Sequence, residues 1–176
     1  GLEHLSSTQI TLPSGFGRWS QTCLSHEFFH LWNVKRIRSK VLGPFDYTQL
    51  PKTGALWFLE GVTDYYGHLL LSRYGWWGKE EFYTDLASNI QSYTNAQARL
   101  TVSIYDSSYK VGEAAGGRGN SQGLGFSYYT AGFFAGAMLD IELRARTKNK
   151  YSLDDVTLAL WDMTKNDQPG FPEGEI

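Results

Sequence analysis

Apolar residues along the chain recur at helical spacing in several stretches separated by glycine- and proline-rich breaks. From about Trp19 to Val34, the positions Leu24, Phe28, Leu31 and Val34 predict a first helix, with Ser20 or Thr22 as its cap. The stretch from about Leu56 to Tyr74 is apolar around most of its circumference, which predicts an interior helix ended by Gly75. Further helices are expected over about Lys79 to Leu100, Ser127 to Arg146 and Leu153 to Met163, the last capped by Ser152. Residues 1–12 carry Leu2, Leu5, Ile10 and Leu12 among β-formers and read as a strand with an irregular middle. Residues 35–55 and 106–125 read as loop, the second with six glycines that suit a lid. The pattern predicts a mostly α (α+β) domain over residues 1–165: a helical bundle with a short N-terminal β element. Residues 166–176 are expected to be a linker or the start of a following segment.

Composition narrows the reading. A chain of 176 residues is the size of one domain, and 19% charged against 41% apolar residues argues against disorder. The net charge of −2 gives no global basic field, so neither nucleic acid nor an anionic membrane is expected as a partner. The run Lys35-Arg36-Ile37-Arg38-Ser39-Lys40 stands just past a helix C-terminus, where cations suit the macrodipole. Arg36 could also hold a peptide carboxylate or carbonyl. No apolar run reaches membrane-spanning length, and the single Cys23 excludes an internal disulfide.

The chemistry concentrates in His26-Glu27-Phe28-Phe29-His30. Two histidines four residues apart share one helix face, within reach of one tetrahedral ion. Glu27 lies about 100° round the helix from His26, where a carboxylate can take a proton from an activated water. A hydrolytic Zn2+ site wants a third protein ligand and an open position. Glu60 is the best candidate: it sits among residues expected to be buried, where an unpaired carboxylate would cost several kcal/mol. A metzincin pattern fails, because Asn33 and Arg36 occupy the positions of the glycine and third histidine that it requires. Asp64, one turn beyond Glu60, could bond the outer nitrogen of a ligating histidine, and Asn33 could serve a similar role. His68 continues that face and is expected to be structural, since a fourth ligand would close the site. Cys23 is expected to be a small buried residue.

Taken together, these residues resemble the glycyl aminopeptidases, a branch of the gluzincin metallopeptidases with a thermolysin-like catalytic domain. The resemblance rests on Gly1-Leu2-Glu3-His4, on Ser25 to Arg36, on Leu56 to Tyr66 and on Ser127-Tyr128-Tyr129-Thr130-Ala131-Gly132. It implies that His26, His30 and Glu60 hold Zn2+ and that Glu27 is the general base. It further implies that Glu3 binds the free amino group of a peptide substrate and that Tyr129, with Tyr128 as its neighbour and fallback, stabilises the oxyanion. Ala131 stands where the family signature has lysine, which removes a cation expected near Tyr129. The resemblance implies an aminopeptidase for small N-terminal residues, glycine above all. A zinc-binding homologue or fragment with weak or no catalysis is the alternative. It also implies an N-terminal β-rich domain and a C-terminal PDZ-like domain beyond this chain, and a catalytic domain truncated at its N-terminus.

Overall fold

The computed structural model describes residues 2–12, 15–46, 48, 52–111, 126–166, 169–174 and 176, and of Leu2 and Glu3 the backbone only. The glycine-rich run 112–125, expected to be a lid, therefore lies outside the described residues. Strand β1 (Leu2–Glu3) pairs antiparallel with β2 (Thr8–Gln9), Leu2 opposite Gln9 and Glu3 opposite Thr8. The expected single strand is thus a hairpin, closed by the His4 N–H donating to the Ser7 carbonyl at 2.7 Å.

Six α-helices follow among the described residues: α1 (Arg18–Phe29), α2 (Thr63–Arg73), α3 (Lys79–Asn95), α4 (Ile104–Tyr109), α5 (Tyr128–Thr147) and α6 (Leu153–Thr164). The first helix starts at Gly17, earlier than either expected cap, and the Ser20 hydroxyl donates back to the Gly15 carbonyl. It ends at Phe29, short of Val34. Residues 30–37 then form a knot of turns in which Val34 has φ 127°, a left-handed value rare for a β-branched residue. The interior helix begins as a π-helix (Trp57–Val62) that runs directly into α2. Gly75, at φ +76°, ends it as expected. The third helix breaks at Ala96 into a short 3₁₀ turn, Gln97–Leu100. Ser103 caps α4, a helix the loop assignment did not foresee. At α6 a full capping box joins Ser152 and Asp155.

The core forms around the π-helix and α2, with Phe58, Leu59, Val62, Tyr65 and Tyr66 packed on Phe133 and Ala137 of α5 and Leu153 and Leu160 of α6. Asp140 ties three helices together. Buried on α5, it accepts from the Tyr65 hydroxyl at 2.9 Å, from Arg144 at 3.1 Å and from the Leu153 N–H at 2.9 Å. Helix α3 buries no residue fully and leans on α5 through Tyr93, whose ring stacks on Phe134 at 4.2 Å.

Two features run against the sequence pattern. The apolar stripe of α1 faces outward: Leu24 and Phe28 are 39% and 53% exposed, while Ser20, His26 and Glu27 are buried. With Leu70, Leu71, Tyr74 and Trp76 that stripe lines a groove of about 880 Å³. The tail, expected to be a linker or the start of a following segment, is docked where it is described. Phe171 is 1% exposed within the core and bonds Arg38 and Lys40 through its backbone. The Glu173 carboxylate accepts from Ser39 at 2.5 Å, Thr53 at 3.0 Å and the Gly54 N–H at 2.6 Å, and so fastens the segment leading into the π-helix. A buried aromatic and a satisfied carboxylate outweigh the turn-forming bias of the neighbouring glycines and prolines. Among the described residues no helix is long and apolar enough to cross a membrane.

Candidate metal centre

Glycines set the spacing of the helices that bear the centre. A Cβ at Gly67 of α2 would lie 3.3 Å from the His26 backbone nitrogen, so α1 and α2 touch beside the first histidine. A Cβ at Gly132 of α5 would lie 2.0 Å from the Trp57 carbonyl oxygen, and one at Gly61 2.5 Å from the Gly132 Cα. Only residues without side chains permit that crossing. The crossing delivers the first turn of α5, with Tyr128 and Tyr129, to the helix that carries Glu60.

The three side chains expected as ligands converge. Both His26 Nε2 and His30 Nε2 lie 3.3 Å from the same oxygen of Glu60, and one atom from each of the three residues falls within 4.8 Å of the others. Four-coordinate zinc with bonds of about 2.0–2.1 Å separates neighbouring ligand atoms by about 3.3–3.4 Å. Charge-assisted hydrogen bonds between nitrogen and carboxylate are shorter, about 2.7–2.9 Å. The observed distances therefore match the edges of a metal polyhedron better than they match direct ion pairs. Three ligands of this type, with nitrogen and oxygen donors, fit zinc and leave a position open.

Each imidazole is held from behind. His30 Nδ1 lies 2.7 Å from the Asn33 backbone carbonyl, which makes that nitrogen the donor and turns Nε2 toward Glu60. His26 Nδ1 lies 3.4 Å from Asp64 Oδ1. Asn33 meets the histidine through its backbone. Its buried amide reaches Phe58, Leu59 and Thr63.

Electrostatics in the metal-free cluster follow from this packing. Burial disfavours a charged His26, but the carboxylates of Asp64 and Glu60 outweigh it and push the imidazole up to about 10. His30 is likewise raised, burial being overcome by Glu60. Glu60 is driven far below the carboxylate range, because the two imidazoles outweigh its desolvation.

The remaining residues fall around this cluster. Glu27 is buried on α1 beside His26. The Tyr129 ring stacks near His26 at 6.1 Å, and burial followed by the charges of Glu60 and Tyr128 holds its phenol far above the ordinary value. Tyr128 is more buried and is pushed up to about 12, by desolvation first and then by Glu60. Ala131 does not adjoin the cluster: residues two apart on a helix point about 200° apart. It lines a separate cavity with Tyr93, Arg99 and Phe134, so a lysine there would leave the metal side of α5. His68 stands outside the cluster, bonded to the Asp64 carbonyl at 2.8 Å with its ring against Phe133 and Trp77. Burial and then the Glu27 charge raise the thiol of Cys23, which is half-buried. Arg36 is engaged by the chain, donating to the carbonyls of Leu5 and Leu31, and Lys35 is buried against the Phe45 ring. The side chain of Glu3 lies outside the described residues.

A family model for the M61 glycyl aminopeptidases matches residues 20–135, a span that includes both histidines, Glu60 and Tyr129. The chain belongs to this family. Among solved structures it resembles an aminopeptidase N family protein from Idiomarina loihiensis, with a TM-score of 0.78 and 25% identity. The match covers 95% of this chain and 28% of that one, so the chain spans less than a third of its neighbour's length. No curated protein matches the chain.

Membership in M61 sets the glycines in context. Gly61, Gly67 and Gly132 were not singled out by the sequence reading, although Gly61 lies inside the block that carries Glu60 and Gly132 closes the block that carries Tyr129. Their signal was available: a glycine directly after a buried acidic residue in an otherwise apolar helix is costly unless another backbone must pass. The role of Thr63 also went unread. Its hydroxyl donates to the Leu59 carbonyl at 2.7 Å and accepts from Asn33 at 2.9 Å.

Proposed function

We propose that this chain is the metal-bearing part of a zinc aminopeptidase that removes small N-terminal residues, glycine preferred, from peptides. The observation that carries the proposal is the pair of 3.3 Å approaches from the two imidazoles to one Glu60 oxygen. His26, His30 and Glu60 would hold the ion, with Asp64 and the Asn33 carbonyl fixing the two rings. Zinc bound there supplies Lewis acidity, which makes water a nucleophile at neutral pH and polarises a carbonyl.

The chain's own residues supply the rest. Glu27 takes the proton from the attacking water and later returns it to the leaving amine. Tyr129, kept neutral by its surroundings, donates its hydroxyl to the oxyanion as charge develops on the former carbonyl oxygen. Glu3, carried on β1, binds the substrate's protonated amine and so limits cleavage to the first peptide bond. The hairpin is tied to the helical body by Arg36, which donates to the Leu5 carbonyl at 2.9 Å.

The test is hydrolysis of glycyl-naphthylamide by zinc-loaded protein, beside a Glu27→Gln variant that retains the metal. Turnover in the first and its loss in the second are expected, as is loss of cleavage when the substrate amine is acetylated. Cleavage that survives acetylation removes Glu3 from its role. A folded, zinc-loaded protein without turnover on any amino-terminal substrate would favour the other reading, a metal-binding homologue that lacks peptidase activity.

A further inference from the structure

We infer that Asn33 is a positioning residue for the metal ligands, acting on Glu60 through the π-helix and on His30 through its own backbone; the inference rests on the zinc reading above. Asn33 is fully buried at 0% exposure, yet it belongs to neither helix that bears a ligand. Its side-chain nitrogen lies 3.0 Å from the Phe58 carbonyl, 2.9 Å from the Thr63 hydroxyl and 3.4 Å from the Leu59 carbonyl. All three partners can accept, which fixes which end of the amide faces them. Thr63 in turn donates to Leu59, so the carbonyls one and two residues before Glu60 are both tied to this network.

The reason lies in the π geometry. A π-turn that passes into an α-helix shifts the hydrogen-bond register by one and frees a carbonyl at the junction. A buried free carbonyl would favour relaxation to plain α-helix. That relaxation would rotate Glu60 by the better part of 100° relative to the core residues that follow it. By supplying donors from outside, Asn33 stabilises the wider turn and with it the direction of the Glu60 carboxylate. The same residue presents its carbonyl to His30 Nδ1 at 2.7 Å, so one position references ligands from two separate segments. The left-handed Val34 that follows, 6% exposed, marks local strain of the kind that persists where surrounding bonds over-determine a backbone.

The experiment measures zinc affinity by chelator competition and the visible spectrum of the cobalt(II)-loaded chain, for wild type and Asn33→Ala. Alanine keeps the backbone carbonyl and so isolates the amide. The expected result is zinc binding about 10- to 100-fold weaker, with a changed cobalt spectrum and a retained near-UV circular dichroism signal. Thr63→Val, which removes the hydroxyl while keeping volume, is expected to move both readouts in the same direction, and Thr63→Ser to restore them. A folded Asn33→Ala chain with wild-type zinc affinity and an unchanged cobalt spectrum overturns the inference. If Asn33→Ala does not fold, the Thr63→Val and Thr63→Ser pair decides on the same readouts. A folded wild-type chain that takes up neither ion would instead remove the metal reading beneath it.

Discussion

Replacing Gly132 by alanine adds one carbon where α5 crosses the π-helix. That carbon would stand 2.0 Å from the Trp57 carbonyl oxygen and 2.8 Å from the Gly61 Cα. An ordinary carbon–oxygen contact is about 3.3 Å, so the two helices must separate by about 1.3 Å. Both obstructing atoms are backbone, so no side chain can rotate away. Overpacking of this kind costs about 1–3 kcal/mol, less the better part of 1 kcal/mol that alanine gains over glycine in a helix. For a domain of this size the net loss, up to about 2 kcal/mol, lowers Tm by up to about 8 °C. The proposed ligands lie on α1, on the residue that caps its C-terminus and on the π-helix, so zinc should remain bound, while Tyr129 moves with α5. A displacement of about 1 Å at a catalytic group costs about 100-fold in rate. The assay pairs calorimetric Tm and zinc content with turnover of a glycyl substrate, using Gly136→Ala as the graded comparison. There the nearest atom is the Val62 Cγ2 methyl at 3.2 Å, which can give way, and little change is expected. A Gly132→Ala protein with wild-type Tm and turnover would refute the argument that backbone contact at this crossing sets the site.

Other expectations follow from the same geometry. In the metal-free protein His26 is raised from 6.5 to about 10, and binding an ion displaces that proton. Zinc affinity should therefore rise at least about tenfold per pH unit from pH 6.5 to 8.5, more steeply where the raised His30 also gives up a proton, and a flat profile in competition titrations contradicts this. The sign for folding is the opposite: a raised folded-state value stabilises the metal-free chain fully below about pH 6.5, and that contribution is lost as pH rises toward 10. Asp64→Ala should weaken zinc about 10- to 100-fold in the same titration and lower the metal-free Tm at about pH 6, where the raised His26 value stabilises the chain, and unchanged affinity would detach Asp64 from His26. Asp140→Ala strands the Tyr65 hydroxyl and the Leu153 N–H, at about 3 kcal/mol in a denaturant melt, and should spare zinc affinity. Phe171→Ala should cost about 3–5 kcal/mol by the same melt, whereas no loss would return the tail to the status of a linker.

Much of this was legible in the chain because it rests on short-range spacing. Two histidines four apart must share a helix face, and an acidic residue in an apolar helix needs a partner, so His26, His30 and Glu60 could be named before any coordinates. Caps with local chemistry, such as Ser152 and Gly75, were legible for the same reason. Apolar periodicity says only that a stripe is covered or packed and not on which side, and the outward stripe at Leu24 and Phe28 is the consequence. The π-turn depends on donors that Asn33 brings from a distant part of the chain, which no helical pattern records. Likewise the docking of Phe171 and Glu173 is a long-range event, and the turn-rich composition around them points the other way.

The central claim is that two imidazoles and one carboxylate from separate segments grip a single ion. Crystals of the zinc-loaded chain, with anomalous scattering recorded on either side of the zinc edge, test it directly. One peak per chain is expected, about 2.0–2.2 Å from His26 Nε2, His30 Nε2 and an oxygen of Glu60. A folded chain whose zinc sits on other residues, or on none, contradicts it.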